Sequence, residues 1–270
     1  LPGADLAVLF MHNEGYSTMC GHAIIALGRY AVDKNLVPAT EPVTRIGIEC
    51  PCGLVTADVE ITQGKAGNVS FESVPAFLLA ADLTIDLPGY GAITYDIAYG
   101  GAFYALADCR QIGLEFGRDP VRRFTDAADA LTQAVKKAVK LSHPDADDLA
   151  FLYGSILTDG GDGKASPSTN VCVFADREVD RSPTGSGVTA RLAAMQAKGS
   201  VAPGEVRVFE SITGARFEGI VASVAAYGKG VAITARVSGR AYYSGEATFI
   251  VEDDDPLGGH QPGRRSAPRA

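Results

Sequence analysis

The sequence predicts an α+β fold of two related domains, and three observations carry that expectation. Short runs rich in Val, Ile, Phe, Tyr and Thr recur along the 270 residues, most of them bounded by Gly, Pro, Asn or Asp, the mark of a hairpin-rich sheet. Only three segments have helical character against that β background. Two of the three are introduced by similar strings, Tyr16-Ser17-Thr18-Met19-Cys20-Gly21-His22-Ala23 and Asp180-Arg181-Ser182-Pro183-Thr184-Gly185-Ser186-Gly187. Each string is a polar turn, a nucleophile-type residue, a glycine and then helix. Cys20 and Thr184 lie 164 residues apart, a repeat of domain size.

The strand-like runs are Leu6 to Met11, Arg45 to Glu49, Leu54 to Ile61, Val69 to Val74 and Ile93 to Ala98. They continue with Leu149 to Leu157, Asn170 to Ala175, Val206 to Ile212, Arg216 to Val224, Val231 to Val237 and Ala247 to Val251. Phe124 to Leu141 is amphipathic, with Leu131, Val135 and Val139 at helical spacing and lysines between them, so it is expected on a surface. Gly21 to Val32 and Gly185 to Ala197 are small and apolar on most faces, as a helix enclosed by sheet requires. The expected division is residues 1–92 with 241–257 as one domain and 93–240 as the other. The breaker-rich remainder, 258–270, is expected to be disordered.

A hydrophobic share of 46% and a charged share of 21% are globular, and no apolar run approaches the roughly 18 residues of a membrane span. The net charge of −8 argues against a nucleic-acid partner, which clustered positive charge would attract. Five cysteines without paired C-x-x-C spacing suggest neither a disulfide framework nor a zinc ribbon, and point to a reducing compartment, the cytoplasm. Cys50, Cys52, Cys109 and Cys172 lie in or beside strand-like runs and read as small buried hydrophobes. Asp159 to Lys164 reads as a hairpin turn, because Ala165 follows the lysine where a phosphate loop needs Ser or Thr. His12, Cys20 and His22 lack the further partner that a zinc site wants, so no metal is expected. The chain opens with Leu1 and runs at once into apolar residues, which reads as a fragment or a processed chain.

The chemistry is expected at the two helix starts. A thiol there sits beside unpaired N–H groups and the positive end of the helix dipole, which favour its thiolate. Gly21 lets a ligand approach the backbone, so the amides of Gly21 and His22 can hold a carboxylate, and those of Gly185 and Ser186 can do so from the other domain. A carboxylate clamped in this way presents its α-carbon to Cys20 on one face and to Thr184 on the other. The same amides stabilise the enolate-like charge that develops when the α-proton leaves.

These two strings, together with Asp96-Ile97-Ala98-Tyr99-Gly100-Gly101-Ala102-Phe103-Tyr104 and the leading His12-Asn13-Glu14-Gly15, resemble the signatures of the proline racemase superfamily. The resemblance runs from about Asp5 to Pro256. It implies a fold like that of diaminopimelate epimerase, with two pseudo-symmetric domains, each a curved, mostly antiparallel sheet around a central helix. It implies an enzyme without cofactor, acting on a small cyclic amino acid held between the domains; a homodimer is left open. Position by position, Cys20 matches the first catalytic cysteine, and Gly21, His22, Asp180, Gly185 and Ser186 match substrate-contacting positions, with Asp180 toward the ring ammonium. An N-terminal Asp-Met-His-Thr-Gly-Gly-Glu-Pro-like segment of the family is expected to precede Leu1.

Thr184 departs from the racemases and 4-hydroxyproline epimerases, which carry a second cysteine there. Ser182-Pro183-Thr184-Gly185-Ser186-Gly187-Val188-Thr189 resembles the trans-3-hydroxy-L-proline dehydratases instead. A hydroxyl is too weak an acid and base to stand in for a thiol, whereas a carbanion bearing a β-hydroxyl can expel it, giving a cyclic enamine that tautomerises to 1-pyrroline-2-carboxylate. The leaving hydroxyl shares the ring face of the α-hydrogen, so either Cys20, once protonated, or its rival His22 supplies the departing proton. The alternatives are a proline racemase or hydroxyproline 2-epimerase, and a non-catalytic amino-acid binding protein.

Overall fold

The computed structural model describes residues 1–250 together with Glu252 and Asp255. The chain begins with three short strands, β1 (Leu6–Ala7), β2 (Phe10–His12) and β3 (Gly15–Ser17), followed by helix α1 (Gly21–Asp33). A meander of β4 (Val43–Cys50), β5 (Gly53–Thr62) and β6 (Lys65–Glu72) comes next, then β7 (Phe77–Leu87), β8 (Gly91–Tyr99) and β9 (Phe103–Asp108). Helix α2 (Val121–Ala138) leads to β10 (Leu152–Thr158), β11 (Ser168–Phe174) and β12 (Glu178–Val179). Helix α3 (Gly185–Ala197) precedes β13 (Val206–Ser211), β14 (Arg216–Tyr227) and β15 (Gly230–Gly239).

One path of strands links both halves, in the order β1-β4-β5-β6-β15-β14-β13-β11-β10-β9-β8-β7, with β12 beside β11. The junction is β15, which pairs antiparallel with β6 on one side and with β14 on the other. Among the described residues parallel pairing is confined to β1 with β4, β9 with β10 and β11 with β13, so the sheet is mostly antiparallel, as in an α+β fold. β7, on the near side of the expected boundary at 92, pairs with β8.

Each half packs its sheet on a helix. In the first, Ile24 and Ile25 of α1 join Ile46, Ile48, Val59 and Phe71 in one core. Burying such side chains contributes about 1.5–3 kcal/mol apiece. In the second, α3 is buried from Gly185 through Ala194. Val188 and Leu192 meet the first core while Ala190 and Ala194 meet Tyr104, Leu106 and Ile156. That is the enclosure its small, apolar composition predicts. α1 is covered on one side only: His22, Ala26 and Tyr30 are exposed, because Arg29, Tyr30 and Asp33 interrupt its apolar character. α2 covers the outer face of the second half through Phe124, Leu131 and Val135. It starts three residues before the expected Phe124, directly after Pro120, which stands extended as its N-cap.

Two strand expectations need correction. Leu6 to Met11 is not one strand, because residues 8 and 9 part β1 from β2, and these two join different partners. Residues 247–250 carry no strand, and Phe249 and Ile250 are exposed at 91% and 83%. Val251 and the tail expected to be disordered from 258 lie outside the described residues. Cys50, Cys109 and Cys172 are buried as expected, whereas Cys52 is only partly so. No helix among the described residues is long and apolar enough to cross a membrane.

Candidate active site

Both helix starts are built alike. Cys20 precedes α1 in an extended conformation, and its carbonyl accepts from the Ile24 N–H at 3.0 Å. Thr184 precedes α3, and its carbonyl accepts from the Val188 N–H at 2.7 Å. Neither side chain caps its helix. The first-turn N–H groups therefore have no partner within either helix and carry the positive end of its dipole. The two starts touch: a Cβ built on Gly21 would lie 2.4 Å from the Gly185 Cα, and one on Gly185 would lie 2.5 Å from the Gly21 Cα. Only glycine at both positions lets two helix N-termini meet here, which places two sets of unpaired N–H groups side by side.

Asp180 is the hub of the loop before α3. Its Oδ1 accepts from the Ser182 N–H at 2.8 Å and lies 3.2 Å from His22 Nδ1, while Oδ2 accepts from the Thr184 hydroxyl at 2.9 Å. Burial pushes this carboxyl up, but the bonds and charge of His22, with those of Ser182 and Thr184, outweigh it and hold the group below its ordinary range. Thr184 is 5% exposed and held at φ +67°, a conformation that a β-branched residue adopts only under constraint. Its one hydroxyl proton is committed to Asp180. Cys172 lies against the Thr184 hydroxyl, and burial pushes its thiol well above the ordinary value.

His22 connects the two helix starts. Its Nδ1 is 3.0 Å from Ser182 Oγ, which in turn accepts from the Thr184 N–H at 3.0 Å. Burial lowers the imidazole's pKa, but hydrogen bonds to Asp180 and to Cys20, reinforced by their charges, prevail and push it up to about 10. The side chain keeps 46% of its surface open and, with Cys20, lines a cavity of about 610 Å³ bounded by Phe10, Met11, Tyr30 and Tyr242. Below these groups, the Gly100-Gly101 turn buttresses both helices. The Thr18 hydroxyl donates to the Gly101 carbonyl at 2.8 Å, and a Cβ on Gly100 would lie 2.1 Å from the Ser186 carbonyl. Ser186 Oγ pairs with the Tyr104 hydroxyl at 2.7 Å. Burial keeps that phenol neutral.

The family model described as proline racemase matches residues 1–260. The chain belongs to the proline racemase family. It is 55% identical over 263 residues to a human protein named trans-3-hydroxy-L-proline dehydratase, covering 95% of this chain and 74% of that one. It is 41% identical over 256 residues to a Burkholderia multivorans 3-hydroxyproline 2-epimerase, covering 95% and 76%. Among solved structures it resembles a hydroxyproline epimerase from Agrobacterium vitis with bound trans-4-hydroxy-L-proline, at a TM-score of 0.87 and 27% identity over 94% of this chain and 72% of that one. The family's two-domain α+β architecture is thus the fold of this chain.

All seven residues singled out in the sequence, Cys20, Gly21, His22, Asp180, Thr184, Gly185 and Ser186, gather at the two helix starts. The sequence reading gave no role to Ser182, Tyr104 or Cys172. Ser182 stands inside a quoted string, but its bond to His22 spans 160 residues and has no local signal. His12 meets Tyr153 and Phe174 edge-on. Among the described residues no group of three or more His, Cys, Asp or Glu is arranged to hold a metal ion.

The His22–Asp180 contact makes a pH prediction. His22 binds its proton more tightly in the folded chain than its ordinary 6.5, so the stability it adds is complete below about 6.5 and is lost as pH rises through about 10. Asp180, held below its ordinary range, contributes above that range and loses its contribution as pH falls. Asp180→Asn removes the strongest of the interactions that raise the His22 pKa and leaves only Cys20 against burial, which lowers it. Proton NMR of the imidazole should show His22 of the wild type titrating far above 6.5 and that of Asp180→Asn shifted down. Identical titrations in the two proteins would mean that Asp180 does not hold the His22 proton.

Proposed function

We propose that this chain dehydrates trans-3-hydroxy-L-proline to pyrroline-2-carboxylate. The substrate carboxylate lies against the paired first-turn amides at Gly21, His22, Gly185 and Ser186, and the ring ammonium faces the negative Asp180. Cys20, as thiolate, takes the α-hydrogen. The electron pair left behind expels the 3-hydroxyl, and the resulting enamine tautomerises to the pyrroline. The names of the relatives at 51–55% identity support this substrate, and the bound hydroxyproline of the solved relative supports a cyclic amino acid at this place.

The observation that carries the reading is Thr184. Racemisation needs an acid on the face opposite Cys20. The residue there is a hydroxyl whose only proton is donated to Asp180, and a hydroxyl is too weak an acid to replace a thiol there. A carbanion in this site lacks a matched acid on that side, so loss of the β-hydroxyl is its way forward.

The test is to incubate the protein separately with trans-3-hydroxy-L-proline and with L-proline, following pyrroline by amine trapping and configuration by chiral separation. Pyrroline from the first and no D-proline from the second is the expected outcome. Epimer without pyrroline would overturn the reading in favour of an epimerase, and no turnover of either would leave a binding protein. Thr184→Cys extends the same logic. With a thiol on each face, α-hydrogen exchange from deuterated water should be accompanied by inversion of proline-type substrates, where the wild type exchanges without inverting. Exchange without inversion in Thr184→Cys would show that position 184 does not face the α-carbon.

A further inference from the structure

We infer that the proton which converts the departing 3-hydroxyl into water comes from His22 and not from Cys20, with Ser182 as the residue that positions the imidazole. The inference rests on the dehydratase reading and concerns which group acts as its acid.

The geometry favours His22 in three ways. Its Nδ1 is anchored from behind by two acceptors of the opposite helix start, Ser182 Oγ at 3.0 Å and Asp180 Oδ1 at 3.2 Å. A carboxylate on one ring nitrogen keeps a proton there and stabilises the imidazolium, leaving the other nitrogen to donate forward. Second, His22 and Cys20 line the same cavity, which puts the base and the acid on the same side. Elimination from trans-3-hydroxy-L-proline needs that placement, because the α-hydrogen and the hydroxyl share a ring face. Third, Asp180 is buried to 7% exposure, and a buried carboxylate demands a cationic partner. The first half supplies that partner as His22.

The protons balance over one cycle. The Cys20 thiolate forms an S–H bond as the Cα–H bond breaks. The C3–O bond breaks while the His22 N–H proton passes to the leaving oxygen, so water departs and the ring keeps a C=C bond. Cys20 then holds one proton and His22 has lost one. Transfer of that proton from the thiol to the imidazole restores the pair, with no other reactant consumed. A separate acid lets both bonds break without waiting for one thiol to serve twice. Ser182 touches no reacting atom: it accepts from the Thr184 N–H and from the imidazole, fixing the ring's rotation.

The test varies the leaving group. Trans-3-hydroxy-L-proline needs acid assistance to lose its oxygen, whereas trans-3-fluoro-L-proline releases fluoride, a far weaker base than hydroxide. His22→Gln should slow loss of water by about 10²–10⁴, the usual worth of a general acid, and slow fluoride loss far less. The fluoride-to-water rate ratio should therefore rise on the order of a hundredfold or more, while α-hydrogen exchange with deuterated water persists. Ser182→Ala, a milder change, should raise the same ratio about tenfold with KM little changed, which a merely structural role would not do. Two results would overturn the inference: equal slowing of both substrates together with lost exchange, and water loss by His22→Gln within tenfold of wild type. Failure of the dehydratase reading itself is read separately, as a wild-type protein that releases no pyrroline from the hydroxylated substrate.

Discussion

Cys20→Ser is expected to lose turnover by at least about a thousandfold in kcat while melting no lower than the wild type. The loss follows from the base role: a serine hydroxyl keeps the shape of the thiol but is not ionised near neutral pH and cannot take the α-hydrogen. The unimpaired stability follows from the helix start. Cys20 is the N-cap of α1, its side chain caps nothing, and it is only partly buried. Serine is among the favoured N-caps and is worth about 1 kcal/mol over a side chain that makes no capping bond, so the substitution is neutral or stabilising. Substrate should still bind, since the amides that hold the carboxylate belong to the backbone of both helices. Thermal melting with and without pyrrole-2-carboxylate, a planar mimic of the carbanion, reports fold and binding together, and the pyrroline assay reports turnover. Activity of the serine variant within tenfold of wild type would remove Cys20 from the base role.

The same helix starts explain how much was legible in the sequence. A polar turn, a glycine and a run of small residues are local signals, and the structure places α1 at Gly21 and α3 at Gly185 as read. β7 was not legible, because Phe77–Leu87 lacks a clean two-residue alternation. Two irregularities of its pairing with β8 fall between Leu78 and Leu83, with Asp82 at φ +53°. β9 was read only as part of a motif, since Phe103–Ala107 is buried throughout and shows no alternation either. The residues of the site were legible where they sit on a helix start, and their partners were not. Asp180 reads from sequence as a ligand for a ring ammonium, yet its oxygens already accept from His22, Ser182 and Thr184. Two of those three bonds lie within four residues of it, but the third crosses from the other half of the chain.

Gly185→Ala is expected to cost both stability and nearly all turnover, although it adds only a single methyl group. The Cβ would stand 2.5 Å from the Gly21 Cα, 3.0 Å from its carbonyl carbon and 3.1 Å from Phe71 Cζ. The phenyl ring can turn aside; the Gly21 backbone cannot, because it is the first residue of α1 and is tied through Cys20 and Ile24 into the helix. The two helix starts must therefore part by several tenths of an ångström or more. Overpacking of this kind costs about 1–3 kcal/mol, a fall of several degrees in melting temperature for a chain of this size. Turnover should fall further, by about a hundredfold or more, since displacement of catalytic groups by about 1 Å is enough for that. Parting the helices separates the paired amides from one another and draws His22 away from Asp180 and Ser182. Gly230→Ala is the control, a glycine with nothing within 4 Å of its built Cβ, for which changes within about 0.5 kcal/mol are expected. Melting curves and pyrroline release measured on the two variants side by side decide the matter. If Gly185→Ala turned over substrate as fast as Gly230→Ala, close apposition of the two helix starts would not be what assembles this site.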